Sequence, residues 1–377
     1  SLEIARKRGH VRRARRSRGR ARVSLAARAR HLAPRAAYER RRPETTALYD
    51  VVRDNLATLY GAIDEGALDV RVPKHAQKEL EGFLDCGLLC RGFARVWCAS
   101  CNESRLVAFA CRGRGFCPSC TGRRMCATSA TLIDHVLPAV DLRQWVLTFP
   151  FAWRRRLACD GALLARLTRI VVDVVQGFYA ARAAKKGAAG AKTGAITVVQ
   201  RTSSDLRLNP HLHLVLLDGT YGERGAELAW RPLGHLKTSE VGEVLERIVR
   251  RIARYLRRAG RLAAVSGQTP PAGPQWLRGL VALSPSALAY DKPLCAALDG
   301  FTLHAATRAG GGDTAGREAL LRYVLRPPLA QDRLELRPDG LVRIALKRAY
   351  TDGTVAVDTG PSSLLFRLAA SVPPPRL

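Results

Sequence analysis

Apolar positions along this chain change period several times, and each change marks an element. Leu48, Val51, Val52, Leu56 and Leu59 recur at helical spacing after Pro43, which predicts a helix over 45–61. A second helix is expected from Val72 to Leu84 and a third from Arg123 to Leu137, ended by Pro138. The run from Leu142 to Pro150 reads as a buried strand. Gly161 to Ala184 reads as a long helix with Leu163, Leu164, Leu167, Ile170, Val171, Val174, Val175 and Phe178 on its apolar side. A Gly, Ala and Lys-rich loop (185–194) separates it from two central strands, 195–201 and 210–217. A basic amphipathic helix (240–260), a linker (266–274), a strand (301–306), a hairpin around Thr351-Asp-Gly and a short helix (364–370) complete the order. Strands and helices alternate without βαβ regularity. The expected class is therefore α+β with an antiparallel sheet.

The strand at 210–217 carries the first candidate chemistry. In Asn209-Pro-His-Leu-His-Leu-Val-Leu-Leu-Asp-Gly219, alternation puts His211 and His213 on one face, about 7 Å apart along the chain, with Leu212 and Leu214 behind. Two imidazoles so placed can grip one divalent ion and leave it open positions for a substrate oxygen. Two satisfied or exposed histidines are the plainer alternative. Asp218 reads as a shaper of the turn that follows.

A metal site that cuts nucleic acid through a covalent intermediate also needs a nucleophile, for which tyrosine serves. Tyr323 is the best candidate, with a half-buried core tyrosine beside solvated arginines as the plainer alternative. Ala319, Leu320, Tyr323 and Val324 fit one helical stripe, Pro327-Pro328 closes it, and Arg322 and Arg326 flank the tyrosine as phosphate ligands. Tyr255, Tyr290 and Tyr350 lack that combination.

Seven of the ten cysteines fall between Cys86 and Cys120. Cys98-Ala-Ser-Cys101 and Cys117-Pro-Ser-Cys120 form two C-x2-C pairs at the spacing of a structural zinc ribbon in a reducing compartment. Four thiolates at about 2.3 Å close a tetrahedral site. Cys111 and Cys86 stay open as replacement ligands or support for a second ion, while Cys90, Cys126, Cys159 and Cys295 read as ordinary buried thiols. Arg112, Arg114, Arg123 and Arg124 ring the second pair and suit contact with a DNA backbone.

Charge sharpens this. The chain has 377 residues and a formal charge of +30, from 62 Lys and Arg against 32 Asp and Glu. Residues 1–42 hold sixteen basic and two acidic residues, so more than half of the excess lies beyond them. A polyanionic partner is implied, with phosphate neutralisation supplying salt-dependent affinity. High-GC coding explains Arg over Lys but not the shortage of acids. No apolar run approaches the roughly 18 residues needed to span a bilayer, and the N-terminus lacks a signal-peptide core, so a soluble cytoplasmic protein is expected. The sole methionine is Met125. The Arg-rich segment 1–42 reads as a disordered extension, either an upstream addition or a functional arm.

Three stretches together resemble the rolling-circle transposases of the insertion sequence ninety-one family, in the HUH single-strand endonuclease superfamily. The first runs from Glu79-Leu-Glu-Gly-Phe-Leu-Asp-Cys-Gly through Gly92-Phe-Ala-Arg-Val-Trp-Cys to Gly113-Arg-Gly-Phe-Cys-Pro-Ser-Cys-Thr-Gly-Arg-Arg-Met125. It is similar to that family's zinc-binding domain. The second, Val199-Gln-Arg with Leu208 to Gly219, resembles the metal-binding motif. The third runs from Gly300-Phe-Thr-Leu-His through Arg322-Tyr-Val-Leu-Arg-Pro-Pro-Leu329 to Leu346-Lys-Arg and Asp352-Gly-Thr354.

The resemblance implies a helical and zinc-ribbon module (43–125), an HUH-type antiparallel sheet core with flanking helices (126–360), and a C-terminal segment (361–377) that stops where relatives usually continue. It implies His211 and His213 as ligands of a catalytic Mg²⁺ or Mn²⁺, with His304 as first choice for the third and Gln200 and Asp205 as alternatives. Tyr323 is implied as the nucleophile that takes a 5′ phosphate. Cys98, Cys101, Cys117 and Cys120 match the structural Zn²⁺ domain, and Cys111 matches a further family cysteine. DNA, as single-stranded element ends and target in a bacterial nucleoid, is the implied partner. Many relatives carry a second tyrosine one turn on, where this chain has Pro327. A plasmid replication or mobilisation relaxase, and a non-catalytic zinc-ribbon DNA-binding protein, are the alternative readings.

Overall fold

A computed structural model of the protein describes residues 2–5, 11–13, 41–68, 70–225, 227–260 and 286–375. Most of the extension expected to be disordered (1–42), and the whole linker 266–274, lie outside the described residues. Two stretches of the extension are described as short strands: β1 (Leu2–Ala5) pairs with β2 (Val11–Arg13) and with residues 93–96. Next come α1 (Ala47–Asp64) and α2 (Lys74–Leu84), then the hairpin of β3 (Phe93–Trp97) and β4 (Ser104–Ala108). α3 (Pro118–Thr131) follows, and its last turn widens over Leu132–Val136. Thr46 starts α1 by accepting a hydrogen bond from the Tyr49 amide at 3.3 Å.

The large sheet is built from β5 (Leu142–Thr148), β6 (Ala195–Thr202), β7 (Leu208–Leu217), β10 (Cys295–Leu298) and β11 (Phe301–His304), with α4 (Arg154–Cys159) and α5 (Gly161–Lys185) between β5 and β6. A side ribbon of β8 (Gly219–Arg224) and β9 (Glu227–Pro232) and the helix α6 (Thr238–Arg258) follow β7. The spatial order is β10-β11-β5-β7-β6, antiparallel throughout, with the two-residue β12 (Arg308–Ala309) on β5. The α+β class with an antiparallel sheet holds.

Alternation along β7 decides what covers each face. Leu212, Leu214 and Leu216 join Trp145 and Leu147 of β5 in a core under α5 and α6. Val215 and Leu217 point the other way and pack with Leu320, Leu321 and Val324 of α7 (Thr314–Leu325). His211 and His213 share that second face by parity. Covering a sheet on both faces explains why β7 reads from Pro210 onward as an apolar run broken only by its histidines. Asp218, at the end of β7, does more than shape a turn. It is buried, takes two hydrogen bonds from Arg143 at 2.8 and 3.0 Å, pairs with Arg308 at 2.7 Å, and meets the Tyr179 hydroxyl at 3.3 Å.

A second core crosses the boundaries expected near 125 and 360. The small sheet of β13 (Leu334–Leu336), β14 (Val342–Ala345) and β15 (Ala356–Thr359) and the last helix α8 (Pro361–Ser371) pack with α1, α2, Phe116 and the cysteines. Gly115 marks the closest approach: a Cβ there would lie 2.7 Å from a methyl of Val372. The C-terminal segment is thus part of the N-terminal module's interior. No helix among the described residues is long and apolar enough to cross a membrane.

Candidate active site and cysteine centre

β7 brings the two imidazoles together, with ring centroids 4.9 Å apart and planes inclined at 59°. The Tyr323 ring stands edge-on to His213, centroid to centroid 6.0 Å at 79°. Over a hundred residues separate the tyrosine from the histidines in sequence, and two ties close that gap. The apolar face of α7 packs on the sheet beside them, and the Gln200 Nε2 of β6 donates to the carbonyl of Val324 at 2.8 Å. Asp313 caps the other end of α7, accepting from the Gly316 amide at 2.8 Å. Arg326, just past the helix, holds its guanidinium carbon 4.2 Å from the Tyr323 centroid. Tyr323 itself is 47% exposed, so a polymer can reach it.

Hydrogen bonding orients both histidines. His211 Nδ1 lies 2.6 Å from the carbonyl oxygen of Asn209, which accepts only, so Nδ1 carries the proton and Nε2 keeps its lone pair. His213 Nδ1 lies 2.6 Å from the Gln144 side-chain amide. The amide nitrogen faces it and donates, so as placed Nδ1 accepts and Nε2 carries the proton; turning the amide, which fills the same volume, would let Nδ1–H donate to its oxygen and leave the Nε2 lone pair for a metal. His213 Nε2 is buried and has no hydrogen-bond partner. A buried polar atom left unpaired is costly, and two Nε2 lone pairs on one face are the donor set a divalent ion takes. Burial foremost lowers the pKa of both rings, helped by nearby Arg326, and His213 falls to about 3. The pair is neutral at physiological pH, as ligation requires.

The three candidates for a third ligand separate clearly. His304 is opposite Val146 on β5, and Val146 is opposite His213, so one whole strand intervenes. Two strand spacings put their backbones about 10 Å apart, and His304 is not beside the pair. Asp205 lies in the β6–β7 turn, tied to Ser203 and Arg207. Gln200 is the register partner of His211 and lines the same cavity. Gln144 was missed as a site residue. Its period-2 position with Leu142, Val146 and Thr148, on a strand covered on both faces, was the available signal.

The cysteines meet in a different set from the expected one. The thiols of Cys86, Cys111, Cys117 and Cys120 all lie within 4.8 Å of one another. Sulfur separations are 3.7 Å for Cys86–Cys117 and Cys86–Cys120, and 3.5 Å for Cys111–Cys120. The pair Cys98 and Cys101 sits exposed at the turn of the β3–β4 hairpin instead, so the tetrad of two C-x2-C pairs is corrected to Cys86 and Cys111 with Cys117 and Cys120. Cys86 follows α2 and Cys111 follows β4, while Cys117 and Cys120 open α3, so the four ligands staple three elements together. Glu79 braces the intervening loop by accepting from the Arg114 and Gly115 amides, both at 2.8 Å. Contact among the four thiols, with Cys111 the first cause for Cys120, pushes Cys120 and Cys86 down and Cys111 and Cys117 up, so the deprotonated forms fall first on Cys86 and Cys120.

The expected DNA-contact arginines also divide. Arg114, Arg124 and Arg326 line one cavity of about 470 Å³ with His211 and Gln200. Arg112 and Arg123 are exposed outside it, and Arg322 pairs with Glu318 at 2.7 Å.

Comparison with known proteins gives two family matches. The family model described as "Transposase zinc-binding domain" matches residues 61–149. The one described as "Putative transposase" matches residues 194–377. No curated protein matches the chain, and no solved structure does. The tetrad lies within the first match and supports a structural Zn²⁺; the histidines and Tyr323 lie within the second. A transposase works on DNA, which accounts for the chain's excess of positive charge. With a zinc-binding domain of this type joined to a transposase domain, the chain belongs to the insertion sequence ninety-one family of transposases.

Proposed function

We propose that this transposase nicks single-stranded DNA at the ends of an insertion sequence and rejoins it through a 5′-phosphotyrosine on Tyr323. The observation that carries the proposal is the cluster itself: two histidines on one strand face, each with Nδ1 tied, and a phenol ring 6.0 Å from the second of them. His211 and His213, with Gln200 as third candidate, would hold Mg²⁺ or Mn²⁺, which supplies polarisation of the scissile phosphate and stabilises charge developing on it. The Tyr323 oxygen attacks phosphorus as the bond to the 3′ oxygen breaks. The phenol gives its proton to solvent and the departing 3′ oxygen takes one up. In joining, a 3′ hydroxyl attacks the phosphotyrosine and releases the phenol. One phosphodiester is exchanged for another, so no nucleotide is consumed. The guanidinium of Arg326 over the ring sets a positive charge against the group that carries the attacking oxygen. A four-thiolate zinc site is closed and leaves no position for substrate, so the tetrad holds structure and takes no part in the chemistry. Work on element ends fits a cytoplasmic protein carried on the nucleoid.

The test is cleavage of end-labelled single-stranded oligonucleotides with Mn²⁺. The native chain should give a product ending in a 3′ hydroxyl, and Tyr323→Phe should bind the same strand without cutting it. Equal cutting by Tyr323→Phe would overturn the assignment.

A further inference from the structure

The cavity beside the histidines is walled from two sides. β6, β7 and the end of α7 supply Gln200, His211 and Arg326, while the zinc module supplies Arg114 and Arg124. Lys347, after β14, closes it. Five cations line this space, and no Asp or Glu does. Arg201 is occupied, since it donates to the carbonyls of Ala158 and Ala370 at 2.8 and 3.2 Å. The other four point charge into the cleft with little to neutralise it. Arg124 reaches only two carbonyls, at 3.4 and 3.5 Å, and Arg326 Nε is buried with no hydrogen-bond partner. Among the described residues no carboxylate pairs with Lys347 or Arg326. Burial, and then the charges of Arg326 and Arg333, push the Lys347 ammonium down to about 8, as a group waiting for an anion would be. Thr121, Thr128, Ser203 and Asn209 add neutral hydrogen-bonding groups along the walls.

We infer that this cleft seats the DNA strand flanking the scissile phosphate, with Lys347, Arg326, Arg124 and Arg114 taking consecutive backbone phosphates. The inference rests on the proposed nicking reaction and extends it. The zinc module forms one wall of the active site, rather than a separate DNA-binding unit. The tetrad then has a task beyond stability, because Cys117 and Cys120 open α3, which carries Arg124, and Cys111 anchors the loop that carries Arg114. Gly113 and Gly115 let that loop turn closely around Glu79, whose carboxylate a Cβ at either position would meet at 3.0 Å.

The test uses full-length Tyr323→Phe, which cannot cut, and fluorescence anisotropy on labelled single strands across a salt series. Lys347→Ala and Arg124→Ala should each weaken binding and lower the slope of log affinity against log salt by about 0.7, the share of one single-strand phosphate contact. Lys347→Arg and Arg124→Lys keep the charge and should keep the slope. Arg247→Ala and Arg250→Ala, on the exposed side of α6, should leave it unchanged. In the cutting-competent chain the two cleft variants should raise KM and spare kcat. Unchanged slopes in the cleft variants, equal losses in the α6 variants, or equal competition by a duplex would each overturn the inference. The two readings fail separately: slopes that fall in a chain forming no tyrosine adduct keep the cleft and sink the chemistry. An adduct with unchanged slopes does the reverse.

Discussion

The guanidinium of Arg326 lies over the ring of Tyr323, its central carbon 4.2 Å from the centroid. A cation on the face of a phenol stabilises negative charge on its oxygen, and such contacts are worth about 0.5–2 kcal/mol depending on desolvation. Arg326→Ala should therefore slow adduct formation by about tenfold while leaving the helix intact, because Arg326 lies beyond its end. Arg326→Lys should recover only part of the loss, since a point charge stacks poorly. Single-turnover cleavage rates would check this, and an unchanged rate in Arg326→Ala removes the ring contact from the mechanism.

Gln144 holds His213 through Nδ1. Replacing such a partner of a metal-ligating histidine typically costs 10–100-fold in metal affinity. Gln144→Leu should weaken Mn²⁺ binding by about that factor without changing the fold. Titration followed by electron paramagnetic resonance reads it directly. Gln144→Glu, which can only accept from Nδ1–H, should bind Mn²⁺ at least as well as the native chain.

The depressed histidines give a pH dependence with a defined sign. His213 titrates near 3 when folded and near 6.5 when unfolded, and His211 shifts in the same direction. Below pH 6.5 the unfolded chain takes up protons that the folded chain refuses. Stability from this pair is therefore full above pH 6.5 and is lost as pH falls toward 3. Denaturant unfolding at a series of pH values should show the decline, and His213→Gln should flatten part of it. A native chain whose stability rises on acidification through this window would contradict the burial of the pair.

The cysteine centre makes a stoichiometric prediction. Cys86→Ser or Cys111→Ser should release the structural zinc and loosen the core shared by α1, α2 and α8. The double variant Cys98→Ser/Cys101→Ser should leave that ion in place, because its thiols are on the exposed hairpin turn. Zinc per chain by atomic absorption, with a thermal melt, separates the two sets.

Arg143 and Asp218 form a buried pair, with side chains 3% and 0% exposed. Removing one partner of such a pair costs about 3–5 kcal/mol. Asp218→Ala should lower Tm markedly and disturb the far end of β7 without touching the histidines. A melt within a degree of the native chain would show that the network carries little stability.

Much of this was legible in the sequence where one element sufficed. The period-2 run of β7 placed His211 and His213 on one face because alternation is local. Tyr323 stood out because its helix, its arginines and its Pro-Pro stop all fall between Thr314 and Pro328. What failed was pairing at a distance. His304 looked like a ligand because the sequence cannot show that β5 lies between β11 and β7. Cys98 and Cys101 looked like zinc ligands because spacing matched, yet the hairpin carries them away and Cys86, at the end of α2, takes the place. Gln144 was hidden in a strand read only for its burial. The helix near 364–370 was legible, but not its packing, because the helical partners of α8 come from the opposite end of the chain.

The most direct test of the central claim is mass spectrometry of the native chain after incubation with Mn²⁺ and single-stranded element-end DNA. The account predicts a nucleotide remnant attached through phosphate to the tryptic peptide containing Tyr323, absent from His211→Ala/His213→Ala. DNA attached to another residue, or cleavage with free 5′ phosphates and an unmodified Tyr323, would contradict it.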